Sequence, residues 1–378
     1  FTLPYSRYMH IPAEVLLIFF RHCGIQPGKP DSGFAQAEIH ACSRCGVCID
    51  ICQMNHAGIH DAQAVYFIRG VRQGNGEAIT AGMCLVCGRC QEVCPVGIHA
   101  DALRLDGRRK LFSAHIHDHG FLSGSLQNAL PAGDVAYFSG CMSHLTPSVV
   151  IAMRGIMDAA GIRYVHIDRD AGICCGRPMM IAGKDQQASE MIEQNRRLIR
   201  ETGASLLVTS CPICYRVFRE SYHLPVRVVH HAQFILDLVK TGRIALQTEF
   251  ARVAYHDPCD LGRGSGVYEA PRELIRKVAD LVPAGTDGPD APCCGGSLGM
   301  IAASAEQRNV ITTHALERLL EGKPNVLATA CPLCKKTFEK LSPVRVADLA
   351  ELVYTAIPKP ASGSFSAHSH QAVSSEAG

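Results

Sequence analysis

Tryptophan is absent from this 378-residue chain, and aromatic residues together supply only 6% of it. Charged residues are sparse at 19%, and the formal net charge is +2. A nucleic-acid interface needs a basic stripe interleaved with stacking rings, so these shortages exclude nucleic acid as a partner. Long apolar runs are missing too. The longest near the start, Val15–Phe20, has six residues, against the roughly twenty that cross a bilayer. Any membrane attachment is therefore expected to come from a partner. No secretory leader is read in the sequence, and because the chain opens on Phe1 rather than Met, Phe1 is not taken as a native start.

Cysteine, by contrast, is abundant. Eighteen of the nineteen fall into four groups, leaving Cys23, which closes an apolar stretch and reads as a buried structural thiol. Two groups share the pattern C-x2-C-x2-C-x3-C: Cys42, Cys45, Cys48, Cys52, then Cys84, Cys87, Cys90, Cys94 with Pro95 behind it. That is the bacterial ferredoxin run for two cubane [4Fe–4S] clusters, in which the fourth cysteine of each run ligates the other cluster. The expected ligand sets are Cys42, Cys45, Cys48 and Cys94 for one cubane, and Cys84, Cys87, Cys90 and Cys52 for the other. A disulfide framework suits small secreted chains, not this length with an odd cysteine count. Zinc would need two thiol pairs, whereas each run offers three close thiols and a fourth. Iron–sulfur thiolates also call for a reducing compartment, so the expected location is the cytoplasm, or a membrane edge reached through a partner.

The other ten cysteines form two sets of five, each a lone Cys, a Cys-Cys-Gly and a Cys-Pro-x-Cys. The first set is Cys141, Cys174, Cys175, Cys211 and Cys214; the second is Cys259, Cys293, Cys294, Cys331 and Cys334. Spacing alone leaves iron–sulfur and zinc both open here. The sets belong to an internal duplication. Corresponding landmarks are offset by 118 residues for the lone Cys, 119 for the double Cys, 120 for the Cys-Pro-x-Cys and 118 for Pro225-Val-Arg-Val228 against Pro343-Val-Arg-Val346. Such agreement marks a repeat.

Periodicity predicts helices over Ala13–Cys23, Ala62–Val71 and Ala100–Phe112 in the first third. From Asp134 the pattern changes to short β-branched strands (Asp134–Ser139, Arg163–Ile167, Ser205–Thr209) alternating with helices (Val149–Ala160, Gln187–Glu201, Ala232–Lys240). The expected fold class is an α-helical dicluster ferredoxin domain followed by a duplicated α/β domain of parallel-sheet repeats with pseudo-twofold symmetry. The expected boundaries are 1–114 for the ferredoxin-like domain, 115–133 for a linker, 134–245 and 246–356 for the repeats, and 357–378 for a disordered tail. Cysteines that follow strands sit where open α/β sheets place their ligand sites.

The doubled Cys-Cys-Gly pattern resembles the CCG motif of the heterodisulfide reductase superfamily. The stretch His256-Asp-Pro-Cys-Asp-Leu-Gly-Arg-Gly264 looks most like the D-type subunit, a fusion of a ferredoxin-like C part with a catalytic B part. The resemblance covers roughly residues 35–355. It implies that each five-cysteine set holds a non-cubane [4Fe–4S] cluster and that a disulfide is cleaved between the two, with all ten cysteines at catalytic positions. Iron–sulfur subunits of glycolate oxidase and anaerobic glycerol-3-phosphate dehydrogenase are similar too, but often lose cysteines from one set; this chain keeps all ten. The implied function is an iron–sulfur oxidoreductase subunit that reduces or forms a disulfide-type substrate. The rival is a relay from a flavin dehydrogenase to quinone. The implied partners are a membrane cytochrome b, a flavoprotein or a hydrogenase-type module, with a small thiol or disulfide as substrate. Disulfide reduction takes two electrons, so two one-electron centres facing one disulfide avoid releasing a free thiyl radical.

Other side chains compete for roles. Arg177, beside the first Cys-Cys-Gly, could bind a substrate carboxylate or phosphate, or be a solvated or salt-bridged Arg. His256 and Asp257 could supply a proton or cap a turn. Arg104, Arg108, Arg109 and Lys110 read as a charged helix face, with docking to an acidic partner the less common reading. His115, His117 and His119, like His368 and His370, read as solvated rather than metal-binding.

Overall fold

The computed structural model describes residues 7–25, 33–74, 82–112, 133–169, 173–297 and 303–358. The histidine-bearing connector and the tail of the chain lie outside these residues. The first third is helical: α1 (His10–His22), α2 (Gly33–Ala41), the short α3 (Val47–Asp50), α4 (Ala64–Arg72), the short α5 (Arg89–Glu92) and α6 (Ala100–Phe112). Their shared core is Leu17, Phe34, Ile39, Phe67, Ile68, Ile98 and Leu103. Helix α6 occupies the residues its periodicity predicts. Helix α4 starts two residues later than predicted because Gln63 is still extended, its side chain tied to Asn55 and to the Ile59 carbonyl.

Two parallel four-stranded sheets follow. The first holds β1 (Val135–Phe138), β2 (Tyr164–His166), β3 (Leu206–Thr209) and β4 (Arg227–His230) in the order β2-β1-β3-β4. Its helices are α7 (Pro147–Ala159), α8 (Arg177–Ile181), α9 (Asp185–Glu201), α10 (Pro212–Ser221) and α11 (His231–Lys240). The second repeats the order with β5 (Phe250–His256), β6 (Ala279–Leu281), β7 (Val326–Thr329) and β8 (Arg345–Asp348) as β6-β5-β7-β8. Its helices are α12 (Glu269–Val278), α13 (Ala305–Leu319), α14 (Pro332–Phe338) and α15 (Leu349–Ala356). Central strands such as Val135–Phe138 and Val326–Thr329 are buried along their whole length, as parallel sheets covered on both faces require.

One core unites the repeats. Ile156, Ile235, Leu274 and Leu352, from α7, α11, α12 and α15, pack with Tyr137 of the first sheet and Tyr255 of the second. The outer face of the second sheet packs Leu327, Leu316 and Phe338 together with Met54 and Leu85 of the helical unit. The helical unit thus packs its core onto the second repeat.

Two expectations are corrected. Cys23 is exposed, because α1 turns Ala13 and Leu17 to the core and Cys23 follows its last turn. The other face of α1 carries exposed Ile11, Val15, Ile18 and Phe19. Arg104 and Arg108 are not a solvated helix face: they are 1% and 0% exposed. Arg109 does reach the surface, where it pairs with Asp185 at 3.2 Å.

Candidate metal centres

Both ferredoxin-type runs bend in the same way. The residue two after the first cysteine is left-handed in each, Arg44 at φ 63° and Val86 at φ 54°, and so are Gly46 and Gly88 at φ 90° and 79°. Positive φ is a conformation L side chains avoid, so each run holds strained backbone at a point that aims its thiols inward. The thiols of Cys42 and Cys48 lie within electrostatic range of Cys45 and Cys94. Those of Cys52 and Cys90 lie within range of Cys84 and Cys87 instead. The fourth cysteine of each run has crossed to the other set. One cavity is lined by Cys42, Cys45, Cys48, Cys90 and Cys94, and another by Cys52, Cys84, Cys87 and Cys90.

In each repeat the cysteines gather where the order of the sheet reverses. The chain runs from β1 to β2 on one side and then crosses back past β1 to β3 on the other, and this switch point is where parallel sheets hold ligands. Cys141 follows β1, and Cys211 follows β3 as the N-cap of α10. Cys259 and Cys331 sit at the same places after β5 and β7. The Cys-Pro-x-Cys spacing is a helix start: the first Cys caps, Pro takes the first helical position, and the second Cys falls in the first turn. In the second repeat the Cys334 N–H accordingly points at Cys331 Sγ, 3.5 Å away. Hydrogen bonds to Cys175 and Cys294, respectively, push the thiols of Cys214 and Cys334 up despite their place in a first helical turn. The Gly of Cys-Cys-Gly is needed because Gly176 and Gly295 have φ of 89° and 85°.

Eight of these ten cysteines are buried, and only Cys141 and Cys259 are half-exposed. Hydrogen bonds from Cys174 and Cys214 pull the Cys175 thiol down to about 6, and Cys293 and Cys334 do the same to Cys294. Hydrogen bonding to Cys174 and then burial push Cys141 up. Burial likewise raises Cys42 and Cys48, and lifts Cys52 to about 12. Burial raises Cys42, Cys48 and Cys52 even though Arg72 and Arg104 stand near Cys42 and Cys52, and crowded buried thiols of this kind have the donor chemistry of sites completed by a thiophilic metal. Among the described residues, no three or more His, Cys, Asp or Glu side chains are grouped to hold one metal ion. In the two runs the thiols ring cavities, which suits a multi-iron core better than a mononuclear tetrahedral site. The first repeat faces the second across Cys211 and Cys331, which lie within electrostatic range.

The helical unit meets the second site directly. Gln53, next to Cys52, donates to the Cys293 carbonyl at 3.1 Å and accepts from the Cys293 N–H at 2.7 Å. Cys87 is an electrostatic neighbour of both Cys259 and Cys293. A cleft of about 450 Å³ exposes Cys87 and Cys259 between Arg216, Arg263, Asp101 and Asp260. Arg216 ties the three units together, reaching Asp260 at 3.3 Å, Glu220 at 2.9 Å and Asp101 at 3.8 Å.

The remaining candidates take positioning roles. His256 is fully buried, its Nε2 3.1 Å from the Pro292 carbonyl and its Nδ1 3.2 Å from Thr329 Oγ1. Burial holds its pKa near 3, so it is neutral and donates its one ring proton to Pro292, not to a substrate. Asp257 is paired bidentately with Arg272 at 2.7 and 2.6 Å. Arg177 is buried at 8% exposure, not solvated, and lies within electrostatic range of Arg108. Sequence reasoning missed Asp168. It accepts hydrogen bonds from the N–H groups of Ser139 and Gly140 at 2.8 and 2.7 Å and from Ser139 Oγ at 2.9 Å, clamping the turn that presents Cys141. Its own burial opposes ionisation, but bonds from His144 and His166 outweigh that and hold the carboxyl below the usual range. No motif signals it, since Asp168 lies far in sequence from Cys141, the cysteine whose turn it clamps.

Residues 135–219 and 253–339 each match the cysteine-rich domain family CCG, and residues 38–98 match the 4Fe-4S dicluster domain. A dicluster unit joined to two CCG domains defines an iron–sulfur protein of the oxidoreductase class. The chain carries one 4Fe-4S dicluster domain and two cysteine-rich CCG domains, and proteins similar to it include D subunits of heterodisulfide reductases. It is similar to the B-type subunit of the fumarate reductase (CoM/CoB) of Methanothermobacter marburgensis, at 26% identity over 375 residues, 87% of this chain and 75% of that protein. It is also similar to the D-type subunit of the dihydromethanophenazine:CoB–CoM heterodisulfide reductase of Methanosarcina barkeri, at 25% over 346 residues, 85% of this chain and 78% of that one. A probable iron-sulfur-binding oxidoreductase of Bacillus subtilis is 25% identical over 227 residues, 57% of this chain and 32% of that one. No helix among the described residues is long and apolar enough to cross a membrane.

Proposed function

We propose that this chain is the electron-transferring and substrate-reducing component of a multisubunit redox complex, acting on a disulfide-type substrate. Cys42, Cys45, Cys48 and Cys94 would hold one cubane, and Cys52, Cys84, Cys87 and Cys90 the other. Cys141, Cys174, Cys175, Cys211 and Cys214 would hold the first non-cubane cluster, and Cys259, Cys293, Cys294, Cys331 and Cys334 the second. When bound, these groups supply one-electron transfer and iron positions that take thiolate sulfur. The observation that carries the reading is that the cavity lined by Cys259, Cys293, Cys294, Cys331 and Cys334 of the second set is walled by Pro212 and Ile213, which follow Cys211 of the first. The protein's own contribution is placement. The clamp of Asp168 fixes the Cys141 turn, Gln53 fixes Cys293 against the helical unit, and the half-exposed Cys259 marks the side from which a substrate reaches the second set.

The partner class that fits is an electron-exchanging protein (a membrane cytochrome b, a flavoprotein or a hydrogenase-type module), which would place the chain in the cytoplasm or at a membrane edge. The test is iron content with EPR of the anaerobically purified, oxidised protein, with and without small thiols. About sixteen irons per chain and a thiol-induced paramagnetic signal support the reading. About eight to twelve irons with no thiol response sink it and leave a relay between a flavin dehydrogenase and quinone.

A further inference from the structure

Four guanidinium groups converge on one of the two ferredoxin-type thiol sets. Arg108 donates to the Cys84 carbonyl at 3.0 Å, and Arg263 to the Cys87 carbonyl at 2.7 Å. Arg89 donates to the carbonyl of Ile51, the neighbour of Cys52, at 3.0 Å. Arg104 forms part of the wall of the thiol-lined cavity and donates to the Ala62 carbonyl. Arg104 and Arg108 are as buried as any large side chain in the protein. The other set is served differently: Arg72 reaches the Cys42 carbonyl at 2.9 Å but is half-buried, and Arg21 reaches the Val96 carbonyl at 2.6 Å but is exposed.

Adding an electron to an iron–sulfur centre adds negative charge, so nearby cations favour the reduced form, and potential follows net charge, hydrogen bonding and exposure. Burial of the thiol set acts the other way, but it also removes the water that screens a cation, and charges in a low-dielectric interior act far more strongly than exposed ones. Resting on the cluster assignment proposed above, we infer that Arg89, Arg104, Arg108 and Arg263 raise the reduction potential of the centre at Cys52, Cys84, Cys87 and Cys90 above that of the centre at Cys42, Cys45, Cys48 and Cys94. The electron then resides on the centre that abuts Gln53, Cys259 and Cys293, beside the substrate-facing repeats. These arginines are positioning residues that touch the loops carrying the ligands, and Arg263 also walls the cleft at Cys259.

The experiment is an EPR-monitored potentiometric titration of the full-length, anaerobically prepared protein, with iron content measured on every sample. In wild type the second centre titrates at the higher potential. Arg108→Met lowers its midpoint by about 59 mV or more, a ten-fold change in a one-electron equilibrium constant, and leaves the first centre in place. Arg108→Lys keeps the charge and restores most of the shift, and Arg72→Met moves only the first centre. If Arg108→Met loses iron, Arg108→Lys and Arg263→Met carry the comparison. A wild-type second centre at or below the first overturns the inference, as does an unmoved midpoint in the iron-replete Arg→Met variants. Wild-type protein whose spectra show no pair of cubane signals overturns the cluster assignment itself, a separate result.

Discussion

Gln53 and Cys293 are 240 residues apart in sequence and joined by two hydrogen bonds, one in each direction. The side-chain amide of Gln53 mimics a neighbouring strand, giving the backbone of Cys293 both the donor and the acceptor it needs. Gln53→Ala therefore leaves two buried backbone groups unpaired, a loss of about 1–3 kcal/mol each if no water replaces the amide. The expected outcome is a lower urea midpoint with iron content retained, and slower reduction of the second CCG set by a donor that enters at the cubanes.

Gly140 has φ of 87°, and a Cβ there would lie 2.9 Å from Cys211 Cβ and 3.3 Å from Cys214 Sγ. Gly140→Ala combines backbone strain with a clash against two thiol-bearing residues. It is expected to cost about 1–3 kcal/mol from the backbone alone and to remove iron from the first CCG set while sparing the second. Gly24→Ala is the control, since Gly24 shares the sign of φ at 72° but has nothing within 4 Å. Iron counts of the two variants check the difference.

Val86 carries a β-branched side chain at φ 54°. Val86→Gly relieves a left-handed conformation that costs an L residue about 1–2 kcal/mol. Apo protein is expected to gain roughly that much stability in a denaturant titration, less the entropy glycine adds to the unfolded chain.

His256 has a folded pKa near 3 against an ordinary value of 6.5 because burial excludes its charged form. The unfolded chain therefore binds a proton that the folded one refuses between about pH 6.5 and pH 3. Stability is full above that window and falls as pH drops through it, by up to about 1.4 kcal/mol per pH unit. His230, lowered for the same reason, adds a slope of the same sign. Denaturant titrations from pH 7.5 to 5 should show a shallower decline for His256→Asn than for wild type; equal slopes would refute the assignment.

Much of the site was legible because cysteine is scarce in ordinary sequences and eighteen of the nineteen here fall into regularly spaced, repeated groups. Cys211 is readable as following a strand and the offset repeats announce a second copy, whereas the helix that Cys211 caps is seen only in the structure. The parallel sheets followed from short β-branched runs between helices. Tertiary placement was not legible. The charges of α6 look like a solvated face by composition, yet Arg104 sits over the Phe67 ring at 4.6 Å and Arg108 donates to the Cys84 carbonyl. Periodicity cannot tell a solvated cation from one buried beside carbonyls and thiols. Asp168 was invisible for a similar reason: its partners Ser139 and Gly140 reach it only once β1 and β2 pair. His256 was misjudged as far as it was credited with a proton to give, because its neighbours Thr329 and Pro292 come from other segments.

The helix layer shared by the two sheets has a seam where one repeat lays a ring on the other's backbone. At Gly155 in α7, an added Cβ would stand 2.2 Å from the ring of Tyr354 in α15, a residue that is 44% exposed. A side chain at position 155 would have to push that ring off α7 toward solvent, so the missing side chain at Gly155 is what lets the second repeat cover the first at the rim of their common core.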